Sequence, residues 1–154
     1  MSDIPAAAPF DSDAYLAMVR AKDAFSKALG VEVVAASPER AETRVRVSEE
    51  HLNFFGVGHG GLVFTLADTA FGAAANAGGR RAAMIDAHIT MTAAVRLGEE
   101  LTASAERISE SRRLAVYRVT VRRRAAGGAE AIISSFTGTV YVSDRPPPSE
   151  RDLA

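Results

Sequence analysis

GVGHGGLVFTLAD, residues 56–68, opens with the letters G-x-G-x-x-G and runs at once into an apolar segment. Glycines in that pattern mark a dinucleotide-binding turn when a strand feeds directly into them and a parallel strand ending in an acidic residue returns about 20 residues later. Neither neighbour fits here. The preceding strand-like run, AETRVRVS at residues 41–48, alternates Thr43, Val45 and Val47 with Arg44 and Arg46 and stops several residues short of the glycines. Asp86 stands near the start of the next strand, and no second β-α-β unit follows it. The glycines therefore serve another purpose.

Residues 61–77 are apolar on nearly every side through Leu62, Val63, Phe64, Leu66, Phe71 and many alanines, which predicts a helix buried all round. After it, residues 83–94, 100–108, 114–123 and 129–142 read as strands, separated by the turn signals LGEE, SESRR and AAGGAE. Four strands with no helix between them predict an antiparallel meander, and one buried helix ahead of them predicts an α+β sheet curled around that helix. Upstream, Tyr15, Leu16, Met18, Val19, Phe25 and Leu29 recur at helical spacing before Gly30, which predicts a single amphipathic helix over residues 13–29. Residues 31–36 are expected to pair with the strand after them through a turn around Pro38. Residues 1–12 and 145–154 (RPPPSERDLA) read as flexible tails, leaving residues 13–144 as one domain.

The composition narrows the functional classes. In 154 residues, 47% hydrophobic content fills one core. With 18 basic against 19 acidic residues, nothing in the overall charge favours nucleic acid or an anionic membrane. The absence of cysteine excludes disulfides, a thiolate nucleophile and a cysteine-type zinc site. The apolar run from residue 60 to 79 is interrupted by Asp68 and Asn76, and its apolar positions fall short of the ~20 that span a bilayer. The start, MSDIPAAAPF, lacks the basic region and unbroken apolar core of a secretory signal, so a cytoplasmic protein is expected. His51 and His88 have no partner at a metal-ligand spacing, and no G-x-S-x-G elbow is present.

The pattern N-x-x-G-x-x-H-G-G-x-x-x-x-L-A-D, carried by Asn53, Gly56, His59, Gly60, Gly61, Leu66, Ala67 and Asp68, resembles that of the hotdog-fold acyl-CoA thioesterases. LADTAF, residues 66–71, is most similar to the PaaI (phenylacetic acid degradation) group, and RLGEELTASA, residues 96–105, extends a likeness that covers residues 31–142. The resemblance implies a hotdog fold and hydrolysis of an aryl-acetyl (phenylacetyl or hydroxyphenylacetyl) or medium-sized acyl-CoA to free acid and CoA. It implies no metal and no cofactor. It also implies self-association as a homodimer or dimer of dimers with sites at the interface. The catalytic set carried over is Asn53, Gly60 and Asp68, with His59 positioning the loop or the carbonyl. Some of these enzymes hold the attacking water with a Ser or Thr near the start of the next strand; here Met84 stands there, with Asp86 and Thr90 nearby.

The residue chemistry gives its own reasons for these roles. Gly60 and Gly61 open a helix whose first N–H groups lack partners inside it and whose dipole is positive there, a good seat for a developing oxyanion. Asn53 offers an amide N–H to the same oxygen; taken alone, a turn-stabilising role is its other reading, as a helix-start role is for His59, and their joint place in one motif weakens both alternatives. Asp68 is the only charged residue between Gly60 and Gly79, so it faces a cavity, water or a partner group and suits a general base or, alternatively, a nucleophile. Eight residues of helix separate it from Gly60 by roughly 12 Å, too far for both to touch one thioester from one chain. Two antiparallel helices about a two-fold axis would join them across subunits. Arg112 and Arg113, between the second and third of the later strands, are candidates for the CoA phosphates, with a solvated charge pair as the other reading. The competing functional classes are a non-catalytic acyl-CoA-binding or regulatory module and a dehydratase on the same fold.

Overall fold

The computed structural model describes residues 10–125 and 127–144. Two helices, α1 (Ser12–Lys22) and α2 (Ala24–Ala28), precede the hairpin β1 (Glu32–Ala36) and β2 (Arg40–Arg46). A 3-10 turn at Glu49–His51 and a loop lead into α3 (Gly60–Asn76), followed by β3 (Arg81–Met91), β4 (Glu100–Glu110), β5 (Leu114–Arg124) and β6 (Glu130–Ser143). All pairings are antiparallel, and the six strands lie in the order β1-β2-β4-β5-β6-β3. Every strand packs against α3, so the sheet wraps the helix as the resemblance implies.

The alternation in the sequence explains the wrap. In β2 the side chains of Ala41, Thr43 and Val45 are buried while those of Arg40, Glu42, Arg44 and Arg46 face outward, and β5 buries Ala115, Tyr117, Val119 and Val121 on the same side. Against them α3 sets Leu66 and Phe71, each worth about 1.5–3 kcal/mol of burial, and Ala67, Ala70 and Ala74, whose small side chains let the sheet come close. Phe71 meets Tyr117 edge-on at 5.6 Å and Phe136 at 5.5 Å between ring centroids. Gly138 admits those rings, since a Cβ there would stand 2.8 Å from Phe136 and 3.0 Å from Phe71. The buried Thr43 hydroxyl donates to the Leu66 carbonyl at 2.8 Å, which satisfies it inside the core. Among the described residues no helix is long and apolar enough to cross a membrane.

Three expectations are corrected. The first helix is two helices, broken at Asp23, whose carboxylate caps α2 by accepting the Ser26 N–H at 3.0 Å. A side-chain cap here outcompetes continued helix because α1 itself buries nothing fully and gains little from being longer. The later strands are a meander only from β4 to β6, because β3 lies beyond β6 and pairs with it, not with β4. It also ends at Met91, short of residue 94, since the chain then leaves the sheet to seat Val95 beneath the glycine loop. Finally, α3 is not covered on all sides: Asp68, Thr69, Gly72 and Asn76 form a half-buried stripe. Of the expected tails, Asp11 caps α1 and Ser12 begins it, while residues 1–9 and 145–154 lie outside the described residues.

Candidate active site

The glycine loop is built by its own hydrogen bonds. The Asn53 N–H donates to the Val57 carbonyl at 2.8 Å, the Gly56 N–H to the Asn53 carbonyl at 2.9 Å, and the Asn53 Oδ1 accepts the Phe55 N–H at 2.9 Å. Gly56, at φ +73°, supplies the left-handed turn. Gly58 is bare because a Cβ there would sit 2.9 Å from the Val95 side chain. These bonds use the Asn53 backbone and its side-chain oxygen. They are the turn role foreseen for Asn53.

His59 is the residue that starts α3. Its Nδ1 accepts the Gly61 N–H at 2.8 Å, which leaves the ring proton on Nε2, and its own N–H donates to the His51 carbonyl at 2.7 Å. Gly61 is required by that cap, since a Cβ would stand 2.9 Å from His59 Nδ1. A Cβ on Gly60 would stand 3.3 Å from the Met91 sulfur. His51, buried, donates from Nε2 to the Leu29 carbonyl at 2.9 Å and accepts the Ser48 N–H on Nδ1, so it ties the approach to the loop onto α2. His59 and Gly61 line a hollow of about 270 Å³ together with His51, Leu52 and Leu62.

Asp68 lies elsewhere. It lines a separate cavity of about 610 Å³ between α1, α2, the open stripe of α3 and the start of β3, where Arg80, Arg81 and Met84 reach it. Burial, and then the negative charge of Asp23, push its carboxyl above the ordinary carboxylate range. Asp23 faces the same cavity and anchors a short chain of polar groups: its Oδ2 accepts the Ser26 hydroxyl at 2.8 Å, and the Ser26 oxygen meets the Thr69 hydroxyl at 2.9 Å. With the Ser26 proton committed to Asp23, Thr69 is the donor in that second bond. Tyr15, its phenol pushed up to about 12 by burial and by Tyr117, donates to the Ala73 carbonyl at 2.8 Å. Sequence reasoning missed Asp23, Ser26, Thr69 and Tyr15. The spacing of Asp23 and Ser26 was a readable cap signal, hidden by the apolar periodicity that runs through it.

On one chain, then, the helix start and Asp68 line different hollows, with Thr65 and Phe25 between them on the rim of both. Met84 lines the larger cavity; Asp86 and Thr90 do not. Arg112 is exposed in the β4–β5 turn. Arg113 is engaged locally, donating to the Tyr141 hydroxyl at 2.8 Å and pairing with Asp144 at 2.7 Å.

This architecture has known relatives. The model of the thioesterase superfamily matches residues 55–128. A candidate esterase of Deinococcus radiodurans is 37% identical over 116 residues, 75% of this chain and 77% of that protein. Human acyl-coenzyme A thioesterase 13 is 31% identical over 114 residues, covering 72% of this chain and 81% of that one. The solved structure of the Escherichia coli PaaI protein, from the phenylacetic acid degradation operon, superimposes with a TM-score of 0.76 at 26% identity, over 84% of this chain and 91% of the other. The chain belongs to the thioesterase superfamily and has its hotdog fold; it is an enzyme of the thioesterase class.

Proposed function

We propose that the protein hydrolyses acyl-CoA thioesters of aryl-acetyl or medium-sized acyl groups, at sites shared between two subunits of a homodimer or of a dimer of dimers. The observation that carries this reading is Asp68: a half-buried carboxyl raised above its ordinary range, the one charged residue of α3, in the wall of a large cavity. The human relative is named for acyl-CoA thioesters and the E. coli neighbour for phenylacetic acid degradation, which supports the substrate class. Self-association is supported by β3. It is an eleven-residue strand paired on one side only among the described residues, with Met84, Ile85 and Met91 exposed, an edge that a second copy would cover.

In the proposed reaction the Gly60 N–H and the Asn53 amide of one subunit polarise the thioester carbonyl, with His59 holding the helix start in place. Asp68 of the other subunit takes a proton from water, and the resulting hydroxide adds to the carbonyl carbon. The tetrahedral intermediate collapses, the carbon–sulfur bond breaks, and the proton on Asp68 passes to the departing CoA sulfur, leaving the free acid. No cofactor takes part. Arg112, the more open of the pair, and Arg113 are assigned to the CoA phosphates.

The test is hydrolysis of a panel of acyl-CoA esters by wild type and Asp68→Asn. The variant keeps the shape and loses the base, so kcat should fall by ~10²–10⁴ while acyl-CoA still binds. Activity within a few-fold of wild type would remove Asp68 from the mechanism.

A further inference from the structure

The 610 Å³ cavity beside Asp68 is walled by α1 and α2, which lie outside residues 55–128, the part that matches the superfamily. Two polar ties hold this wall against the rim of α3: the Tyr15 hydroxyl on the Ala73 carbonyl and the Ser26–Thr69 pair. Between them the wall does not close. Tyr15, Met18, Val19 and Phe25 on one side face the stripe of Asp68, Gly72 and Asn76 on the other.

Gly72 is the telling position. A glycine in the interior of a helix is unfavourable relative to alanine, so it needs a reason. Packing provides none, because a Cβ added there would meet nothing within 4 Å, and its φ is not in the left-handed range. The missing side chain leaves room for something else. Gly72 and Asn76 follow Asp68 by one and two helical turns, roughly 6 and 12 Å along the axis. An acyl group whose carbonyl carbon is attacked beside Asp68 has that length of trough to run into, past Asn76 toward Arg80 and Arg81 at the start of β3. Its companions are the Tyr15 and Phe71 rings and the Met18 thioether, surfaces suited to an aryl ring or a methylene chain.

We propose that this cavity is the acyl subsite, that its outer wall is the N-terminal helix pair, and that Gly72 is the residue setting the size of acyl group accepted. The inference rests on the thioesterase reading. It gives the chain's specificity to residues 12–28 and to one glycine on α3, apart from the motif residues that do the chemistry.

The experiment compares wild type, Gly72→Ala and Gly72→Leu on acetyl-, phenylacetyl- and octanoyl-CoA, and measures binding of phenethyl-CoA, a thioether that cannot be hydrolysed. A leucine side chain in the trough should lower the ratio of phenylacetyl to acetyl kcat/KM by roughly 10-fold or more and weaken thioether binding by a similar factor. Gly72→Ala, which the helix favours, should move the ratio the same way by a smaller factor, and it carries the test if Gly72→Leu fails to fold. An unchanged ratio with unchanged thioether binding, or an equal loss on all three esters, overturns the subsite. If wild type hydrolyses none of the esters, the thioesterase reading falls by itself. Thioether binding then decides the cavity: weakening by Gly72→Leu supports it, and equal binding in both proteins overturns it.

Discussion

At the scale of single residues, Asp68 and Asp23 are coupled through one cavity. Burial is the larger reason that the Asp68 carboxyl stands above its ordinary range, and the Asp23 charge is the second. A base that must be ionised to act loses activity as pH falls through its pKa, so the acid limb of kcat/KM should report Asp68. Removing the negative charge of Asp23 makes ionisation of Asp68 easier and lowers that pKa. Asp23→Asn should therefore shift the acid limb to lower pH, though not to the position of an exposed carboxylate, because burial remains. Asparagine caps a helix about as well as aspartate, so α2 should persist. A limb that stays in place, or moves to higher pH, in the pH profile of the variant would break the proposed coupling.

At the scale of elements, the junction from α3 to β3 depends on Asn76. Its amide donates to the Gly72 carbonyl at 3.1 Å and the Ala82 carbonyl at 3.2 Å, while its Oδ1 accepts the Ala82 N–H at 2.9 Å. One side chain thus ends the helix and sets the first residues of the edge strand. Asn76→Ala leaves these partners without it and should cost about 1–3 kcal/mol. For a chain of this size, thermal melting should register that as a fall in Tm of about 2–4 °C per kcal/mol. An unaltered Tm would mean that β3 begins at Arg81 without this tether. The same junction explains why Asn76, unlike the alanines around it, is polar on a helix that otherwise reads as core.

At the scale of the whole molecule, the separation of Gly60 from Asp68 decides how many chains make a site. Asn53→Ala and Asp68→Asn are each expected to be nearly inactive. Dissociated together in equal amounts and allowed to reassociate, about half of the dimers should be mixed, and each mixed dimer should hold one site without a lesion. Roughly a quarter of all sites should regain wild-type rates. With exchange followed independently by mass-tagged chains, a mixture as inactive as its parents would show that each site is built within one chain, and the pairing of Asp68 with a partner's helix start would have to be abandoned.

How much of this was legible depends on how local the physics is. The motif loop could be read because its bonds connect near neighbours: Asn53 with residues 55–57, and His59 with Gly61. The inward face of β2 follows from its alternation, which records which side of an element is buried, and the extent of α3 from an apolar run set between glycine pairs. Periodicity does not record what buries it. The placement of β3 beside β6, the break at Asp23 and the cavity over Gly72 all depend on contacts between residues far apart in the chain. Residue order alone is enough to specify a helix that opens on two glycines, its lone carboxylate, and strands enough to enclose it. That α1 and α2 stand off from α3 instead of covering it is a property of the folded chain, because the gap lies between long-range ties at Ala73 and Thr69 and over a side chain that Gly72 lacks.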